Sequence, residues 1–161
     1  MDRFANDRKA FMRLVNDLCV ALSYPERDDP IRDDETLVME MKLEKISFAV
    51  SHSFERRPEK ILIQGIFGAL PSENVTEILY RLMHLNRELS ESGVASIGYE
   101  GNGAMVVYAH QADLHSLSGD TLLSTMTEIA WRAAYWQSSY FLKDESPAIS
   151  TLSDQRFISL A

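Results

Sequence analysis

Val94-Ala95-Ser96-Ile97-Gly98-Tyr99-Glu100, then Gly101-Asn102-Gly103, then Ala104-Met105-Val106-Val107-Tyr108-Ala109-His110: two β-rich runs flank an Asn-Gly pair, a strong local signal for an antiparallel hairpin. Upstream, Thr36–Glu44 alternates Leu37, Met39, Met41 and Leu43 with Val38, Glu40, Lys42 and Glu44. That gives one apolar and one mostly polar face at the period of a strand. Lys45–Ser53 repeats the alternation with Ile46, Phe48 and Val50. After the charged Glu55–Lys60 break, Ile61–Leu70 is a more continuous apolar run, which predicts a central strand covered on both faces. Gly65 and Gly68 within it predict a bend or a close backbone approach. Strands in hairpin-length groups, not alternating singly with helices, predict an antiparallel-rich α+β fold and argue against a doubly wound parallel sheet.

Helices bracket these strands. Phe4, Phe11, Leu14, Val15, Leu18 and Leu22 recur at helical spacing with Asp7, Arg8, Lys9, Arg13 and Asp17 between them, an amphipathic pattern that Pro25 ends. From Glu26 to Glu35 the chain is almost entirely charged and reads as a solvated loop. Pro71-Ser72-Glu73-Asn74 offers a stop and helix caps before a stripe of Val75, Ile78, Leu79, Leu82, Met83, Leu85, Asn86 and Leu89, which Gly93 closes. Ser118 or Asp120 is placed to cap a last helix with the stripe Leu122, Met126, Ile129, Ala133, Trp136 and Tyr140. The expected order is α-β-β-β-α-β-β-α, a single domain over residues 1–143 followed by a tail over 144–161.

The chain has 161 residues, of which 16 are Lys or Arg and 24 are Asp or Glu, a net charge of −8. That length suits one domain. An acidic chain lacks the clustered cations that bind nucleic-acid phosphates, and anionic membrane surfaces are disfavoured for the same reason. No apolar run approaches the roughly 20 residues that cross a bilayer, and the start of the chain turns charged at once, so a cytosolic protein is expected. The single cysteine, Cys19, excludes an intramolecular disulfide and a thiolate zinc cage.

A search for chemistry returns little. Asp28, Asp29, Asp33, Asp34 and Glu35 lack the spacing and central glycine of a calcium loop. His110, Asp113 and His115 fall on a strand end and a turn without a common face, and read as a polar cluster at the surface; His52 and His84 read as ordinary surface or boundary histidines. Cys19, beside Leu18, reads as a small hydrophobe. There is no Gly-x-Ser-x-Gly elbow and no phosphate loop, and Gly98, Gly101 and Gly103 belong to a hairpin and not to a strand-to-helix turn. No catalytic residue, cofactor or metal is therefore assigned, and the residues point to binding. Three amphipathic helices around one sheet carry more apolar surface than a small core needs, and the surplus calls for a partner or a second copy. Ile78, Leu79, Leu82, Met83 and Leu85 cannot all face one sheet, which predicts a homodimer through this helix.

With Leu70-Pro71 closing the third strand, Leu85-Asn86 near the end of the second helix, a hairpin, and Ile129-Ala130-Trp131-Arg132 in the last helix, the chain resembles the class I type III secretion chaperones, the CesT-like family, over about residues 4–142. The resemblance implies a small acidic bacterial cytosolic homodimer paired largely through the second helix and the neighbouring strand. It implies a protein that holds the amino-terminal segment of one or more secreted effectors in extended form and delivers it to the secretion ATPase. A stand-alone regulatory domain of similar fold, with no secretion cargo, is the alternative. An extended segment recognised by a sheet protein gains main-chain hydrogen bonds along a strand edge and selectivity from side-chain pockets. The apolar positions expected to line such a groove are Phe11, Val15 and Leu18 of the first helix with Met39, Met41 and Phe48 of the strands, core packing being the competing fate of at least half of them. The negative charge favours cargo bearing Lys or Arg.

Overall fold

A computed structural model describes residues 3–25, 36–100 and 105–143. The charged Glu26–Glu35 loop with its acidic residues, the Gly101-Asn102-Gly103 turn and the segment after Lys143 lie outside the described residues. The elements are α1 (Arg3–Ala21), β1 (Leu37–Leu43), β2 (Ile46–His52), β3 (Lys60–Ala69), α2 (Val75–Glu91), β4 (Ala95–Glu100), β5 (Met105–Asp113) and α3 (Gly119–Ser139). This is the expected order. The strands form one five-stranded sheet in the order β1-β2-β3-β5-β4, antiparallel at every pairing.

Local chemistry explains the joints. Glu44 and Lys45 both adopt positive φ, 48° and 72°, which makes the two-residue turn that sets Leu43 opposite Ile46. The register of β3 against β5 shifts between Ile66 and Gly68, and Gly68 takes the positive φ that bends the strand there. Ser118 caps α3 reciprocally: its hydroxyl accepts from the Thr121 amide, and the Thr121 hydroxyl accepts from the Ser118 amide. Gly93, at φ 69°, follows α2.

The helices share one face of the sheet. A Cβ on Gly65 would meet Ile129 of α3 at 2.6 Å, so α3 lies against β3 at a point only glycine allows. A Cβ on Gly119 would meet the Asp17 backbone at 2.7 Å, which brings the start of α3 onto α1. The layer between contains Phe11, Leu14 and Leu18 of α1, Phe48 and Val50 of β2, Ile61, Ile63 and Phe67 of β3, and Leu122, Met126, Ile129 and Trp136 of α3. The opposite sheet face is different. Residues Glu40, Lys42, Ser47, Ala49, Gln64, Ile66, Ser96, Gly98, Val107 and Ala109 border a shallow trough of about 850 Å³ to which no helix residue contributes. β3 is central, but among the described residues the coverage expected on both its faces is present on one, and Leu62, Gln64 and Ile66 on the other are half-buried. Its apolar run reflects a central position more than a second helical layer.

Candidate functional site

The outer flank of α2 is an exposed apolar surface on the helical side. Ile78, Leu82, Leu85 and Leu89 are buried, and Leu85 and Leu89 line one cleft with Ile97 of β4 and with Trp131 and Tyr135 of α3. Leu79 is 41% exposed, Tyr80 72% and Met83 71%, and Val94 at the entrance to β4 is also exposed. Around the helix these residues lie a quarter-turn or more away from the buried stripe. No further element of the described chain covers them. The five residues expected at a dimer contact therefore divide: Leu79 and Met83 face outward, while Ile78, Leu82 and Leu85 build the support beneath. Tyr80 belongs to the exposed set, and periodicity passed over it because a tyrosine on a polar flank carries no signal of its own.

A second surface lies at the opposite edge of the sheet. β1 has β2 as its one strand neighbour among the described residues, so one side of its backbone is open. Val38 is exposed on the same face as the exposed charges Glu40 and Lys42, and Met41, half-buried, lies on the other face. At the end of α1, Val20 and Tyr24 are exposed as well. Of the six groove positions expected from sequence, Phe11, Val15, Leu18, Met39 and Phe48 lie in the core and only Met41 reaches the surface. Packing took them because they are the inward face of β1 and β2 and the stripe of α1 that meets it.

Between α1 and the sheet sits a buried polar cluster that the sequence pattern assigned to solvent. Asp7, 2% exposed, accepts from His115 Nε2 at 3.0 Å through Oδ1, and its Oδ2 is buried with no hydrogen-bond partner among the described residues. The Arg8 guanidinium, also buried, lies 4.5 Å above the Phe54 ring. His52 is fully buried, not at a boundary: its ring stacks on Phe11 and meets Phe54 edge-on. Its Nδ1 is 3.1 Å from the Lys60 carbonyl, so Nδ1 carries the proton and donates. Burial holds the His52 pKa below the ordinary 6.5, against the Lys60 carbonyl and Asp7, which raise it, and with His115 and Arg8, which lower it further. His115 stays exposed, as expected of it, while its Nε2 reaches Asp7; His84 is also at the surface, paired with Glu88 at 3.1 Å. These charges join α1 to the end of β2 and to the segment after β5. They act as a seam in the core.

Among the described residues no group of His, Cys, Asp or Glu is arranged to hold a metal ion, and no helix is long and apolar enough to cross a membrane. Cys19 is buried.

Solved structures with this arrangement of helices and strands are similar throughout. A chain of the ExsC–ExsE complex superposes with a TM-score of 0.63 at 16% identity, covering 86% of this chain and 97% of that one. A chain of the complex between the Yersinia pestis type III secretion chaperone SycH and a stable fragment of YscM2 gives 0.59 at 16% identity, covering 78% and 98%. A chain of the HopA1–SchA chaperone–effector complex gives 0.58 at 16% identity, covering 80% and 94%. No curated protein sequence matches. At this identity the superpositions establish the fold, and the sequence itself supplies the family: residues 29–137, more than half of the chain, match the model of the Tir chaperone protein (CesT) family. This chain belongs to the CesT family of chaperones.

Proposed function

We propose that the protein is a cytosolic homodimeric chaperone that binds the amino-terminal segment of one or more type III secretion effectors in extended form, keeps it competent for secretion and delivers it to the secretion ATPase. The observation that carries the reading is the pairing of family membership with an open β1 edge on a sheet whose other elements pack among themselves. An extended segment laid along β1 gains main-chain hydrogen bonds there. Its apolar side chains find Val38 on one face of the strand and Met41 on the other, while Phe11, Val15, Leu18, Met39 and Phe48 support the surface from beneath. The chemistry of holding an unfolded segment needs no acid, base or cofactor, and no catalytic role is proposed.

The homodimer rests on α2. Burying Leu79, Tyr80 and Met83 against the same residues of a second copy about a two-fold axis satisfies a self-complementary contact. Solved relatives in complex with partner or effector proteins support the cargo class.

Calorimetric titration with a synthetic effector amino terminus of about 50 residues or more tests the reading. Binding should show a negative heat-capacity change, as apolar area is buried and a disordered chain ordered, and an association rate that falls with salt. Val38→Asp should weaken binding at least tenfold with the melting temperature unchanged. No binding by any effector amino terminus encoded in the same genome, or full affinity in Val38→Asp, would defeat it.

A further inference from the structure

The two edges of the sheet are unlike. Beside β4 lies α2, which returns into that strand through Ser92, Gly93 and Val94 alone and so must run alongside it. The register states which β4 groups point away from β5. Gln111 N donates to Val94 O at 2.7 Å, so these two form a hydrogen-bonded pair. Alternation then makes Ser96–Ala109 and Gly98–Val107 the next such pairs and directs the backbone of Ala95, Ile97 and Tyr99 outward. Ile97 is the middle of the three. Its N–H is already engaged: it donates to Asn86 Oδ1 at 2.8 Å. A strand joining β4 would have to sit about 4.8 Å away, in the space that the Asn86 side chain holds.

We propose that Asn86 plugs the β4 edge, so that an extended peptide is admitted to this sheet at β1 alone. An edge strand with free amides is a template for any passing strand, and a side-chain acceptor that takes the central amide removes the template at little cost to the fold. Asparagine suits the position because its carbonyl oxygen reaches as an acceptor without bringing a charge to a half-buried site. The plug also separates tasks: the α2 flank is left for a second copy of the chain and the far edge for cargo. In this it rests on the strand-addition reading of the preceding section.

The test uses the full chain with Asn86→Ala, which removes the acceptor, and Asn86→Asp, which keeps it; Asn86→Ser, too short to reach Ile97, repeats the first should alanine cost the fold. Two quantities are read: amide exchange at Ile97, and the sites labelled by a synthetic nine-residue alternating Thr/Val peptide bearing a benzophenone. Wild type and Asn86→Asp should protect Ile97 and take label only at residues 37–43. Asn86→Ala should exchange Ile97 at least tenfold faster and gain label at residues 95–100. Unchanged exchange at Ile97 overturns the plug, as does faster exchange with label still confined to β1. If the peptide labels neither edge in any variant, strand addition itself fails, and sedimentation decides the plug separately: Asn86→Ala forming larger species than wild type at equal concentration supports it, and identical sedimentation overturns it.

Discussion

α1 and α2 have the same kind of amphipathic sequence and opposite fates. α1 buries its apolar stripe and, with it, the charged pair Asp7 and Arg8; α2 buries one stripe and leaves Leu79, Tyr80 and Met83 in solvent. The difference follows from what each helix meets. α1 is clamped between the sheet and the start of α3, with no room for a larger residue at Gly119 and with His52 fully buried against Phe11. α2 lies at the sheet margin, touching β4, and no element of the described chain covers its outer flank. Surplus apolar surface therefore marks where a helix sits against the sheet, and here it leaves the flank of α2 uncovered among the described residues.

The comparison is broken most severely by a charge in either buried stripe. Val15→Asp in α1 and Leu82→Asp in α2 should each cost about 4 kcal/mol or more, a lost apolar contact plus an unpaired buried charge, and abolish cooperative thermal unfolding by circular dichroism. A fold that survives Val15→Asp would show that α1 is not closed. Next in size, Gly119→Ala should cost about 1–3 kcal/mol in denaturant unfolding, because the added methyl meets Asp17 backbone atoms that cannot rotate away. Asp7→Asn should cost about 1–2 kcal/mol, since the buried carboxylate that holds His115 becomes a neutral amide.

A pH series sharpens the contrast on the α1 side. The folded pKa of His52 is depressed, so below about pH 6.5 the unfolded chain binds a proton that the folded chain resists. The stability from keeping His52 neutral is present above pH 6.5 and is lost as pH falls from there through the depressed folded value. The melting temperature should drop over that window in wild type and less in His52→Gln. The smallest effect on stability belongs to the exposed flank: Met83→Asp should change unfolding by less than about 0.5 kcal/mol, yet turn a sedimenting dimer into a monomer. A wild type that sediments as a monomer at micromolar concentration would remove the dimer altogether.

Much of this architecture was legible in the sequence because it depends on local periodicity. Alternation at Leu37–Leu43 and Ile46–His52, the Asn-Gly hairpin and the capping residue Ser118 each act within a few positions, and the element order follows from them. What escaped depends on distant partners. Asp7 and Arg8 look like solvated helix residues until His115 and Phe54 are brought beside them, more than forty positions away for each. His52 looks like a strand end because its burial is supplied by Phe11 and Phe54 together. Five of the six expected groove positions are core because periodicity marks the inward face of a strand or helix, whereas a docking peptide meets an edge strand's backbone and outward face. The same limit hid Tyr80 and the bond from Ile97 to Asn86.

The central claim, that an extended effector segment joins the sheet at β1, is tested most directly by mapping backbone amide exchange across the whole chain with and without a bound effector amino terminus. The account predicts new protection along residues 37–43, with exchange at Ile97 already slow and unchanged. Protection that falls on the open sheet face or the α2 flank while β1 exchanges as before would contradict it.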